Sequence, residues 1–295
     1  MSPRKGFFMS SYMKPLKKKL RFEVNLVEHC NLNCIGCDHF SPVAEEGFTD
    51  VDKYERDLIR LSELFGDDVS SITLVGGEPL MHPQLIEFIK RSRRHFPKTG
   101  LGLFTNGILL TRMPAQFWEA CRDEKVVIII TNYPIKIDND KIRQLTGEYG
   151  IQLDYSWENK LKTMHKLVLD PEGKGDVDYN FKKCYRSNSC IFLQDGRLYT
   201  CTVAPTAHHL NKHFDQKLEM SEKDSIDIYQ AQSANEILEF LRRPIPFCRY
   251  CDMHTKIKGI TWKQSDKKLT EWYLTDEEKK KRDFWRKVRG IFGRK

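Results

Sequence analysis

Three cysteines crowd the stretch EHCNLNCIGCDHF, residues 28–40: Cys30, Cys34 and Cys37, spaced C-x3-C-x2-C. Soft thiolates this close in sequence wrap one metal ion or one iron–sulfur cluster. Zinc would take a fourth ligand, which His29 or His39 can supply, whereas a [4Fe–4S] cluster on three cysteines leaves one iron open for another ligand. A disulfide framework would use cysteines in pairs and an oxidising compartment, and the basic N-terminus MSPRKGFFMSSYMKPLKKKLR lacks a signal-peptide core. Five more of the nine cysteines, Cys184, Cys190, Cys201, Cys248 and Cys251, lie within residues 184–251, the last two in CRYC. Cys121, following FWEA in a helical pattern, reads as a small buried hydrophobe. The histidines of AHHLNKHF, His208, His209 and His213, look like a metal cluster. Beside so many thiolates they read instead as loop residues or substrate contacts. His82 and His165 lie beside expected strand ends, where they can face a barrel interior.

These residues need a scaffold. Short apolar runs, FEVNLV (22–27), SITLV (71–75), LGLF (101–104), VVIII (126–130), IQLDY (151–155) and HKLVL (165–169), read as strands. Amphipathic segments lie between them, among them DKYERDLIRLSELF, with Leu58, Ile59, Leu61, Leu64 and Phe65 at helical spacing, and HPQLIEFIKRSRRHF, with Pro83 in its first turn. Strands alternating with helices imply a parallel sheet whose function sits in loops at the strand C-termini. Six such units fit an α/β fold of the open, partial (β/α)6, TIM-like barrel kind over residues 20–175. After DPEGKGDVDYN the texture changes, and IFLQDGRLYTC carries a hairpin signal at Asp195-Gly196, so a second, smaller domain is expected over 176–260. A basic extension, 1–19, and a basic amphipathic tail, 261–295, complete the division.

The chain has 295 residues, 31% of them charged, and a net charge of +8 concentrated at its two ends. Sticky termini on a nearly neutral body do not indicate nucleic acid. No apolar run approaches the ~18 residues that cross a bilayer, so a cytoplasmic protein is expected.

The three-cysteine loop after the first strand resembles the hallmark of the radical S-adenosylmethionine (radical SAM) family. A second motif agrees in order and place: GGEP, Gly76, Gly77, Glu78 and Pro79, follows the second strand, where that family binds the amino group of SAM. The resemblance implies a SAM-binding [4Fe–4S] cluster on Cys30, Cys34 and Cys37. It also implies reductive cleavage of SAM to a 5′-deoxyadenosyl radical and hydrogen-atom abstraction from a substrate C–H. Thr105 and Asn106 of FTNG, and Thr131 and Asn132 of TNYP, end the third and fourth strands with side chains suited to ribose hydroxyls and the methionine carboxylate. One departure is Gly36, where the family has an aromatic residue near the adenine; His39 or Phe40 can cover that ring instead.

The downstream cysteines resemble the SPASM/Twitch extension, in its shorter Twitch form. That resemblance implies an auxiliary [4Fe–4S] cluster on Cys184, Cys201, Cys248 and Cys251, with structural zinc as the alternative. Cys190 is left either as a replacement for Cys184 or as a free catalytic thiol near the substrate. The family further implies an oxidoreductase fed by an electron donor such as flavodoxin or ferredoxin. A small polar, sugar-like substrate is expected to be oxidised or epimerised, with peptide maturation as the alternative and a zinc-stabilised binding protein as the non-enzyme reading. In the tail, Phe284, Trp285, Val288, Ile291 and Phe292 mark one helical face among lysines and arginines, either a peripheral membrane contact or a stripe that docks on the barrel.

Overall fold

The structure, a computed structural model, describes residues 19–156, 162–187, 189–255, 259–282 and 284. Alternating strands and helices open the chain: β1 (Leu20–Asn25), α1 (Val51–Phe65), β2 (Val69–Val75), α2 (Leu85–His95), β3 (Gly100–Thr105), α3 (Ala115–Asp123), β4 (Val126–Ile130), α4 (Asn139–Tyr149) and β5 (Leu153–Tyr155). The five strands pair in parallel in sequence order, with Phe22 opposite Ile72, Leu74 opposite Leu103 and Ile128 opposite Leu153. Such pairing requires a helical crossover between neighbours, which the amphipathic segments supply. Phe22 and Val24 on β1, Leu58 and Leu61 on α1, and Phe88 and Ile89 on α2 are buried in one core. Ile59, expected on the same apolar face of α1, is 42% exposed. The alternate β1 residue Glu23 faces the other side, among the groups of the candidate site.

The remaining elements are β6 (Thr163–Met164), α5 (Val177–Lys183), β7 (Phe192–Gln194), β8 (Arg197–Tyr199), α6 (Val203–Phe214), β9 (Ile226–Asp227), α7 (Ala234–Leu241) and β10 (Ile260–Thr261). Asp195 and Gly196 both have positive φ, 47° and 71°, as a two-residue type I′ turn demands, and β7 and β8 form the hairpin that the Asp-Gly pair signals. Its position differs from the expectation of a separate unit. Strand β7 pairs in parallel with β1, so one sheet runs β5-β4-β3-β2-β1-β7-β8-β9.

HKLVL does not form the expected sixth barrel strand. Leu167 and Leu169 are buried in a second core with Phe40, Phe247 and Trp272, and Leu169 makes single bridges to Cys251 and Tyr273. An apolar run buried on all sides needs no strand partner beside β5. The sixth parallel strand of the sheet is β7, on the opposite flank. Residues 261–275 are likewise not a free tail: Trp272 is fully buried, and its Nε1 donates to the carbonyl of Cys37 at 2.9 Å. Of the apolar stripe beyond, only the exposed Phe284 is described, and Trp285, Val288, Ile291 and Phe292 lie outside the described residues. No described helix is long and apolar enough to cross a membrane.

The hairpin turn is also tied to α1, because Asp57 accepts from Gly196 N at 3.0 Å and from Tyr229 OH at 2.6 Å. A side chain at Gly196 would place Cβ 2.7 Å from the Tyr229 ring in left-handed backbone. Gly196→Ala is expected to cost about 1–2 kcal/mol in chemical denaturation, whereas Asp195→Gly, at a position that also has positive φ, is expected to be near neutral.

Candidate active site

Cys30, Cys34 and Cys37 follow β1 in a loop without regular structure, kept tight by left-handed backbone at Asn33, Gly36 and Phe40 (φ 53°, 61° and 54°). Gly36 explains the absence of an aromatic residue there: its φ is positive, and a Cβ would press to 3.1 Å against Ile260 Cδ1. The second motif is stitched to the same loop. Gly77 N donates to Val27 O at 2.5 Å and Glu78 N to His29 O at 3.2 Å. A Cβ at Gly77 would overlap the His29 carbonyl, and one at Gly76 would stand 2.7 Å from Val27 O. The two glycines therefore let the end of β2 lie directly against the chain leading into Cys30.

Glu78 is almost fully buried, and desolvation pushes its carboxyl up to about 7. Its oxygens accept from Thr105 Oγ1 at 2.6 Å, Asn106 N at 2.9 Å and Leu80 N at 3.2 Å, while Pro79 opens the short helical turn that follows. Asn106 Nδ2 reaches Asn31 Oδ1 at 2.7 Å and Cys30 Sγ at 3.8 Å. Glu78, Thr105 and Asn106 thus form one hydrogen-bonded unit joining the ends of β2 and β3 to the cysteine loop. Thr131 and Tyr133, after β4, line the same cavity, but Asn132 between them is not among its lining residues.

All three loop cysteines line this cavity. Burial, together with the charge of the neighbouring thiols, pushes Cys34 up to about 11 and Cys37 up to about 12, and burial raises Cys30 as well. Three buried thiols that resist ionisation become stable thiolates when a metal group neutralises them. Three thiols from one short loop suit an iron–sulfur cluster with one iron left open to a further ligand. Cys34 Sγ accepts from Trp262 Nε1 at 3.2 Å and from the Tyr133 hydroxyl, two partners that sequence reading missed. Phe40 is fully buried against Trp272, 5.7 Å between ring centroids, and is not positioned to cover a base. His39 does line the cavity.

The downstream cysteines divide. Cys184, Cys201, Cys248 and Cys251 stand near one another: burial first, then Cys184, lifts Cys201 to about 11, burial with Cys201 and Cys184 lifts Cys248 to about 12, and burial with all three others lifts Cys251 well above the usual thiol range. Asn180, on α5, organises them by donating from Nδ2 to Cys248 O at 3.0 Å and Cys251 O at 2.5 Å, while its own carbonyl accepts from Cys184 N at 2.9 Å. Cys190 lies on the wall of the barrel cavity, hydrogen-bonded to Glu23 and with Cys201 near enough to raise its pKa. Burial pushes that carboxyl up to about 7 and the Cys190 thiol up to about 12.

Arg186 links the two cysteine groups. Its guanidinium makes a bidentate pair with Asp38, the residue after Cys37: Nε meets Oδ2, and the second contact is 2.9 Å. The arginine side chain is 3% exposed and the aspartate 25%. His82, by contrast, is a satisfied core histidine, with Nε2 on Thr49 O and Nδ1 accepting from Gln84 N. His165 packs edge-on against Tyr185. Cys121 is fully buried in α3. His208, His209 and His213 stand on helix α6 and not in a loop.

Removing one member of a buried ion pair typically costs about 3–5 kcal/mol, and the partial exposure of Asp38 points to the lower end. Arg186→Ala is therefore expected to lose about 3 kcal/mol in urea unfolding of the metal-free chain, and Asp38→Asn in the same background to restore part of it. Additive losses in the double variant would refute the coupling.

The Radical SAM superfamily matches residues 24–167. A GTP 3′,8-cyclase of Thermodesulfovibrio yellowstonii is 30% identical over 104 residues, covering 33% of this chain and 30% of that protein. Molybdenum cofactor biosynthesis protein 1 of Homo sapiens is 29% identical over 120 residues, covering 39% of this chain and 18% of its own length. The chain spans less than two-fifths of these curated relatives. Among solved structures, BtrN in complex with AdoMet and 2-DOIA superposes with a TM-score of 0.51 at 18% identity, over 80% of this chain and 94% of that one, which is a likeness of fold. With the three-cysteine loop and the Gly-Gly-Glu-Pro turn at the ends of its first two strands, residues 24–167 form a radical SAM domain, the catalytic domain type of a superfamily of enzymes.

Proposed function

We propose that the chain is a radical SAM oxidoreductase acting on a small polar, sugar-like substrate, with an auxiliary [4Fe–4S] cluster on Cys184, Cys201, Cys248 and Cys251 and an external electron donor of the flavodoxin or ferredoxin kind. On this reading the barrel spans 20–175 and the auxiliary-cluster region 176–260. When bound on Cys30, Cys34 and Cys37, the first cluster supplies with SAM a 5′-deoxyadenosyl radical that removes a hydrogen atom from the substrate. The remaining work belongs to the protein. Gly76 and Gly77 bring bare backbone to the methionine end of SAM, and the unit of Glu78, Thr105 and Asn106, continued by Thr131, orients what lies beside it. Trp262 and Tyr133 keep water from Cys34.

The observation that supports the substrate class is a set of polar side chains on a cavity wall that is otherwise largely apolar. His39 Nε2, Ser41 Oγ and Thr202 Oγ1 are buried without a hydrogen-bond partner, and all three residues line the cavity that holds the cysteine loop and Cys190. Buried polar groups are as a rule paired, so these three side chains, turned towards the cavity, suit the hydroxyls of a ligand. Glu23, with its carboxyl near 7, can take the proton of a substrate hydroxyl while the second electron would pass to the auxiliary cluster, when bound; if the centre is inverted, the Cys190 thiol can return a hydrogen atom, its thiyl radical then regaining an electron from the external donor and a proton.

Anaerobic turnover with deuterated polyols and amino sugars is expected to move deuterium into 5′-deoxyadenosine. Transfer only from deuterated peptides would overturn the substrate class. Cys190→Ala separates the two outcomes on a turned-over substrate: an epimerase keeps forming 5′-deoxyadenosine but loses the inverted product, whereas a dehydrogenase makes its product unchanged. Loss of cluster iron in this variant would instead make Cys190 a ligand.

A further inference from the structure

Outside the cysteine sites, one group of side chains among the described residues has the composition and closeness of a metal site. One ligand atom each from Glu28, His208 and His209 lies within 4.8 Å of the other two. Glu28 precedes the cysteine loop, and the two histidines stand on α6, which begins two residues after Cys201. His209 is buried, with Nε2 at 2.8 Å from Glu28 Oε2. The His208 and His209 rings are 3.9 Å apart between centroids, at 44° to each other, so the imidazoles converge.

We infer that Glu28, His208 and His209 form a binding site for a divalent transition metal, Zn2+ above all, that fastens the chain entering the cysteine loop to helix α6. The surroundings are those of a metal-ligating set. His208 Nδ1 donates to the carbonyl of Pro205 at 2.8 Å, which fixes the tautomer with the Nε2 lone pair free. Gln194 Nε2 approaches Glu28 Oε1 at 3.4 Å and holds the carboxylate, while Gln194 Oε1 is buried without a partner. Burial and the neighbouring His209 hold His208 below the usual imidazole range, so it stands neutral, as a ligand must. Two imidazoles and a carboxylate suit zinc, with a fourth position for water on the exposed His208 side. On binding, the ion takes the position between His209 Nε2 and Glu28 Oε2, with the ring proton of His209 carried on Nδ1.

The test uses the anaerobically reconstituted full chain, stripped of loose metal on chelating resin, titrated with Zn2+ and desalted, with zinc and iron counted together. One zinc per chain is expected in addition to unchanged iron, with an X-ray absorption shell of nitrogen and oxygen at about 2.0–2.1 Å and no sulfur near 2.3 Å. His209→Ala removes a buried contact and can disturb folding, so the deciding variant is His208→Ala, which changes an exposed ring and leaves the Glu28–His209 pair in place. It is expected to weaken zinc binding at least about 10-fold at unchanged iron content, while His213→Ala, on the same helix, is expected to have no effect. No retained zinc, a sulfur shell, or equal zinc affinity in His208→Ala would each overturn the site.

Discussion

The interaction on which the rest of the structure depends is the buried bidentate pair of Asp38 and Arg186. A guanidinium placed in a protein interior without its carboxylate is expensive, and a fork-to-fork pair has one geometry in which both hydrogen bonds are straight. Asp38 follows Cys37 by one residue and Arg186 follows Cys184 by two, so this single geometry sets how the two groups of thiols face each other. Cys190, four residues beyond Arg186 and with its N–H donating to the Arg186 carbonyl, is carried by the same anchor onto the wall of the cavity.

A second constraint follows from the cysteine loop having no regular structure of its own. Its backbone groups must find partners elsewhere. Ile35 N donates to Lys263 O, Ser265 N to Asn33 O, and Gly36 N to the Glu271 carboxylate, while the Trp272 indole donates to Cys37 O. On the opposite side the Gly76–Gly77 turn completes the enclosure. The segment from 260 to 274 is therefore part of the site. It shields Cys34 with Trp262 and fills the space beside Gly36 with Ile260.

What was legible in the sequence was what is local. The cysteine spacing, the Gly-Gly-Glu-Pro turn, the Asp-Gly hairpin and the first five parallel strands each announce themselves within a few residues, because turn sterics and side-chain periodicity act at that range. The missed features are pairings at long range. Nothing near Asp38 names Arg186, nothing near Cys34 names Trp262, and nothing near Glu28 names His209. The sixth strand failed for a related reason: HKLVL is apolar because it is buried beneath Phe247 and Trp272, and composition alone does not separate that from a place in a sheet. The double glycine is a middle case, a visible signal whose structural cause, the close approach of the His29 carbonyl, only the fold reveals.

The central proposal is that the fold holds two clusters of different kinds, one on the three thiols that line the cavity and one on the four thiols downstream. Electron paramagnetic resonance of the reduced, anaerobically reconstituted chain, recorded with and without SAM and alongside iron and sulfide analysis, tests it most directly. About eight iron and eight sulfide per chain are expected, with two cluster signals of which SAM shifts only one. A single signal, two signals that both shift, or about four iron with zinc in the remaining thiols would contradict the account.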